Sequence, residues 1–151
     1  MDNADADNAH DETTATGEGI VTKLSPWSVA ETLGRLFAIL AEKGMKIFAV
    51  IDHSGEAAKV GLELRDTKVV IFGNPQSGTA IMEAAPLAAI SLPLKLLVWA
   101  DGNATRVSYL SPSVFGERYG LSEDLVGRVA GIGALVDAVI EPERRDSGWE
   151  G

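Results

Sequence analysis

Along residues 20–140 the apolar positions alternate between two repeats, every second residue and every third or fourth, and the changeovers fall at Gly, Pro and Asn. Ile20 to Leu24 predicts a first strand. A helix follows, opening at Ser25-Pro26 or at Ser28, which stands three residues before Glu31 as a capping box requires. Val29, Leu33, Leu36, Phe37 and Leu40 form its apolar stripe and Gly44 its stop. Met45 to Asp52 predicts a strand, Ser54 to Val60 a helical turn ended by Gly61, and Thr67 to Phe72 a strand broken by Gly73-Asn74-Pro75. A short helix over Thr79 to Ala85 ends against Pro86. Leu94–Ala100 and Thr105–Leu110 flank Asp101-Gly102-Asn103, a hairpin signal. One last helix starts at Ser122, carries Glu123 and Asp124 in its first turn, and puts Leu125, Val129, Ile132, Val136 and Val139 on one face. The order β-α-β-β-β-β-α predicts a two-layer α+β domain, an antiparallel sheet of about five strands with helices on one face.

Successive strand residues point to opposite sides, so each strand divides into two rows. The first row reads Ile47, Ala49, Ile51, Val69, Ile71, Leu96, Val98 and Val107, and the two amphipathic helices are expected to cover it. The second reads Phe48, Val50, Val70, Phe72, Leu97, Trp99 and Leu110, and no further layer is available for it. An open face of this kind is larger than a soluble monomer usually exposes, so the sequence predicts a homodimer through the apolar sheet face; the alternative is a cover of loops and the C-terminal end with Trp149. Asp52, Asn74 and Lys95 share the parity of the second row and are expected at its rim, with Lys95 either paired to a carboxylate such as Asp52 or facing a cleft.

Outside residues 20–140 the composition changes. Residues 1–19 read as a disordered acidic tail that includes His10, and residues 141–151 as a C-terminal tail. Residues 1–18 account for −6 of the formal charge of −9, leaving −3 for the remainder, so there is no basic stripe to recruit nucleic acid. The absence of cysteine excludes disulfides, thiolate metal sites and thiol nucleophiles, and two histidines leave no metal site to predict. No signal, transit or membrane-spanning pattern is present, which predicts a cytoplasmic protein with no membrane partner.

Candidate chemistry is sparse. His53 stands just past a strand end, where titratable site residues often lie, although a single histidine more commonly has a structural role. Asp52 beside it is expected to project to the other face, so the two make a poor dyad. Gly73-Asn74-Pro75-Gln76-Ser77-Gly78-Thr79 connects a strand to a helix and could offer bare amides to an anion, but it lacks the lysine and spacing of a phosphate loop; otherwise it is a turn with Gly73 or Asn74 at positive φ.

Several ordered blocks carry a resemblance: Phe48-Ala49-Val50-Ile51-Asp52-His53, Ala57-Ala58 with Gly61-Leu62, Ile71-Phe72-Gly73-Asn74-Pro75, Ala85-Pro86 and Leu92-Pro93-Leu94-Lys95. Together they resemble the domain-of-unknown-function 302 family over about residues 20–120. The resemblance implies a two-layer, TBP-like α+β fold and dimers. It supplies no catalytic residues or cofactor, and it marks His53, Gly73, Asn74, Pro75 and Lys95 as part of the family pattern.

Three function classes follow. The first is a dimeric binding or sensing domain holding a small polar or anionic ligand at His53, Gly73, Asn74, Pro75 and Lys95. The second is an enzyme with His53 as general acid/base and Lys95 stabilising developing negative charge. The third is a structural or regulatory module that docks on another protein. No cofactor motif accompanies any of them.

Overall fold

The computed structural model describes residues 15–17 and 19–142. The expected disorder of most of the N-terminal tail, and the tail residues His10 and Trp149, fall outside them. Ala15–Thr16 (β1) pairs with the start of Ile20–Ser25 (β2), so the segment expected as tail already contributes to the sheet there. The remaining strands are Lys46–Asp52 (β3), Thr67–Gly73 (β4), Leu94–Asp101 (β5) and Ala104–Leu110 (β6). They form one antiparallel sheet in the order β1-β2-β6-β5-β4-β3. The α+β class, the antiparallel sheet of five long strands and the hairpin at Gly102, whose φ of 63° suits glycine, are as the sequence predicts.

Val29–Glu42 (α1) starts at Ser28, whose side chain accepts from Glu31 N while Glu31 returns a bond to the Ser28 amide. The capping box thus decides between the two expected starts. Its stripe of Val29, Leu33, Leu36 and Leu40 packs on the sheet beside Ile132–Val139 (α6). Arg35 ties the two helices together: it donates to the carbonyls of Ala138, Val139 and Glu141 at the end of α6, and its guanidinium lies 4.6 Å from the Trp27 ring. A cation at that position satisfies orphan carbonyls and complements the helix dipole.

The two rows of side chains differ from those expected. Val70 stands opposite Leu96, Val98 opposite Val107, and Val21 opposite Tyr109, so Val70, Phe72, Leu96, Val98, Val107 and Tyr109 share the helix-covered face and are buried. Val69, Ile71, Leu97, Trp99 and Leu110 lie on the other face. The sequence rows joined the two halves of the sheet out of phase by one residue. Register between β4 and β5 is set across a connection of twenty residues, which the alternation within each strand cannot fix. A second cause is a β-bulge between Ile47 and Ala49, where Phe48 is the extra residue. Strand β3 is an edge strand with both faces half exposed: Ile47, Phe48, Val50 and Ile51 retain 37–47% of their accessible surface.

Two further departures concern helices. The expected last helix is two, Glu123–Gly127 (α5, capped by Ser122) and α6, separated by a turn at Gly127 to Gly131 that lets Val129 enter a second, smaller core. Between β6 and α5 lies Pro112–Tyr119 (α4), which starts with Pro112 in its first turn and ends at Gly120 in the left-handed region. Its Phe115 joins Ile81, Ala88 and Val129 in that second core, where Pro75–Ala84 (α3) and the 3-10 turn Pro86–Ser91 also pack. His53–Lys59 (α2) follows β3 directly.

Candidate functional site

The five predicted site residues separate into two groups. His53 and Lys95 line one cleft of about 700 Å³ on the uncovered face, together with Thr67, Val69 and Leu97. Gly73, Asn74 and Pro75 line a second cavity of about 300 Å³, with Met45, Phe48 and Arg128. Arg128, on the turn between α5 and α6, is a cation that the sequence did not single out, because its neighbour is more than fifty residues away along the chain.

Asp52 and Lys95 do not meet. Asp52 stands opposite Lys68, whereas Lys95 stands opposite Ile71 on the other side of the sheet. Asp52 is the N-cap of α2: its Oδ1 accepts from Ser54 Oγ at 2.7 Å, from Gly55 N at 2.9 Å and from Lys68 Nζ at 3.1 Å. The Ser54 hydroxyl, the Gly55 amide and the Lys68 ammonium hold its pKa down at about 2. Lys68 also binds Asp66 Oδ1 at 2.7 Å, and this bond leads the causes that raise its pKa. The cluster anchors the β3–α2 junction from which His53 enters the cleft.

Lys95 is exposed and donates to Pro93 O at 3.2 Å. Asp52, the residue before His53, stands opposite Lys68, which stands opposite Val98. Lys95 is three residues along and two strands across from Asp52, so those two backbones are about 14 Å apart. His53 and Lys95 can address different parts of one ligand.

Asn74 is also a cap. Its Oδ1 accepts from Gln76 N at 2.9 Å, and Pro75 occupies the first turn of α3, which therefore begins four residues earlier than expected. Asn74 has φ −108° and Gly73 is not at positive φ, so the tight-turn alternative does not hold. Two amides of this segment are already paired, Gln76 N with Asn74 Oδ1 and Gly78 N with Asn74 O, and are not bare for an anion.

The sequence also missed Lys23. It lies on the helix-covered face of β2, 5% exposed, with Nζ 2.7 Å from Asp137 Oδ1 and 5.6 Å from the centre of the Tyr109 ring. Burial pulls its pKa down, but the bond to Asp137 and the neighbouring Tyr109 outweigh this and leave it raised. Among the described residues no group of three His, Asp or Glu side chains could hold a metal ion, and no helix is long and apolar enough to cross a membrane.

An antiparallel sheet with two helices on one face and a partly apolar cleft on the other defines a two-layer α+β domain. The family model described as "Domain of unknown function DUF302" matches residues 21–141, and the chain belongs to that family. The crystal structure of an uncharacterized conserved DUF302 protein from Bacillus stearothermophilus superimposes with a TM-score of 0.69 at 19% identity, covering 82% of this chain and 97% of that one, and so shares the fold. Proteins named Fluoride-specific ion channel FluC 1 from Brucella suis biovar 1 and Brucella abortus biovar 1 are 37% identical over 122 residues, 78% of this chain. The chain spans about half the length of these relatives, 48% and 45% respectively.

Proposed function

We propose that this domain binds a small anionic ligand in the cleft between His53 and Lys95. One observation carries the reading: two basic side chains from separate elements line a single concave, mainly apolar surface of about 700 Å³, a size typical of ligand sites. Among the described residues the lining of the cleft includes no Asp or Glu, although the chain carries a formal charge of −9. Gly73, Asn74 and Pro75 belong to the reading only as the frame of the neighbouring cavity.

An acid/base enzyme is favoured less, because His53 and Lys95 would need to converge on one reacting centre, and the strand position before His53 is about 14 Å from the backbone of Lys95. Ion conduction, named for the Brucella relatives, is not part of the proposal. Homodimerisation is part of it: Ile47, Phe48, Val50 and Ile51 on β3 are large, apolar and exposed, and a second copy is the simplest cover for them.

The test is thermal unfolding with a panel of phosphate, acetate and longer carboxylates. A ligand at a hundred times its Kd adds about 2.7 kcal/mol, on the order of 10 °C in Tm for a domain of this size. Lys95→Ala is expected to abolish the shift, and Asn74→Ala to lower the basal Tm while keeping the shift. A flat response of the wild-type protein to every anion refutes the proposal. Light scattering on the same sample reports the dimer as about twice the 15.9 kDa chain mass.

A further inference from the structure

The walls of the cleft narrow the ligand class, and this step rests on the binding reading above. Besides His53 and Lys95, the lining polar side chains include Thr67, Ser91 and Ser108. Their hydroxyls already have protein partners. Thr67 Oγ1 donates to Arg65 O at 2.7 Å, Ser91 Oγ lies 2.6 Å from Tyr119 Oη, and Ser108 Oγ meets both Thr22 Oγ1 and Trp99 Nε1 at 2.9 and 3.0 Å. A polyhydroxylated or zwitterionic ligand would leave its own groups unpaired against such walls, which is costly.

The remaining surface is aliphatic or aromatic, and its one further hydroxyl belongs to Tyr109, whose ring lies beside Lys23. At its inner end the cleft is lined by Leu94, Leu110, Phe115 and Val129, all part of the second core or packed against it. Lys95 is exposed at the outer side. The arrangement combines a cationic group in contact with water, an apolar passage leading inward and, among the described residues, no carboxylate along the way.

We propose that the ligand is an amphiphilic monocarboxylate, with its head at Lys95 and an unbranched or aromatic body lying along Leu110, which the β5–β6 register sets beside Lys95, towards Phe115. Each methylene that enters the cleft is then expected to tighten binding about four-fold, the factor that its transfer from water supplies. A charge-assisted bond at the head makes the carboxylate bind more tightly than the alcohol of the same chain length.

Titration calorimetry with acetate, hexanoate, octanoate and decanoate below their micellar range, inorganic phosphate, and the matching 1-alkanols provides the test. Support consists of a Kd that falls stepwise with chain length, together with a carboxylate preference that Lys95→Ala removes while the chain-length slope persists. In Leu110→Trp, which narrows the passage, the slope should end at a shorter chain. If acetate and phosphate bind as tightly as decanoate, the anion site stands and the amphiphile is overturned. Equal affinities for decanoate and decanol in the wild-type protein overturn the role given to Lys95. If no probe binds, this inference and the binding reading fall together.

Discussion

Lys23 provides a stringent check on how the two layers are held together. Its ammonium is enclosed between β2 and α6, with its side chain 7% exposed, whereas that of its partner Asp137 is 65% exposed. Exposed pairs contribute about 0–1 kcal/mol and breaking fully buried ones costs about 3–5 kcal/mol, so this half-buried pair belongs between. Asp137→Ala strands the buried charge on Gly133 O, 3.4 Å away, and the Tyr109 ring, and is expected to cost about 2 kcal/mol. Lys23→Met keeps an unbranched chain in the same space and removes the charge, so it should change stability by less than about 1 kcal/mol in either direction. In the Lys23→Met background Asp137→Ala should cost no more than about 0.5 kcal/mol, giving a coupling of about 1.5 kcal/mol. Urea unfolding followed by circular dichroism measures all four corners. The pH dependence is a further check. Because the folded-state pKa of Lys23 is raised above 10.5, its contribution is complete below that value and is lost as pH rises through the folded pKa. The gap between wild type and Asp137→Ala should therefore hold from about pH 6 to about 10 and close above it. If Asp137→Ala costs as much without Lys23 as with it, the pair is not what joins the layers.

Two further expectations concern the caps. A Cβ at Gly55 would fall 2.5 Å from Asp52 Oδ2, so Gly55→Ala must displace the carboxylate that caps α2 and lower Tm, whereas Gly78→Ala, whose Cβ meets only Met82 Cε at 3.8 Å, should gain about 0.5–1 kcal/mol; thermal unfolding of the two variants decides. The depressed pKa of Asp52 means that its contribution is present above pH 3.8 and lost as pH falls towards about 2, so Tm should drop across that window and Asp52→Asn should flatten the drop.

Features governed by neighbours in sequence were legible before the structure. Ser28 with Glu31, Gly102 in its hairpin and Gly61 after α2 each follow from chemistry within a few residues. The phase of the sheet was not, because Val70 finds Leu96 across an intervening helix and 3-10 turn, and Phe48 shifts the parity of β3. For the same reason the parity of the strands leaves Lys95 a choice between Asp52 and a cleft, and with the sheet between the two residues it faces the cleft. Helix α4 did leave a signal in Ser111-Pro112 and Gly120, but its few apolar residues obscured it. Lys23 left none: a polar residue within an apolar alternation reads as facing water until a carboxylate from α6 closes over it.

The surplus residue at Phe48 also governs what can attach to the free side of β3. Hydrogen-bonding groups along a regular strand repeat with a fixed spacing, and an incoming strand docks by matching that rhythm. With one residue too many, the rhythm slips near the middle of the strand, so a stray extended peptide would align for a few residues and then lose its partners. Growth of the sheet by simple accretion is thereby discouraged, although four greasy side chains are displayed on that border. Any lasting attachment at this border must come from those side chains rather than from a continued ladder.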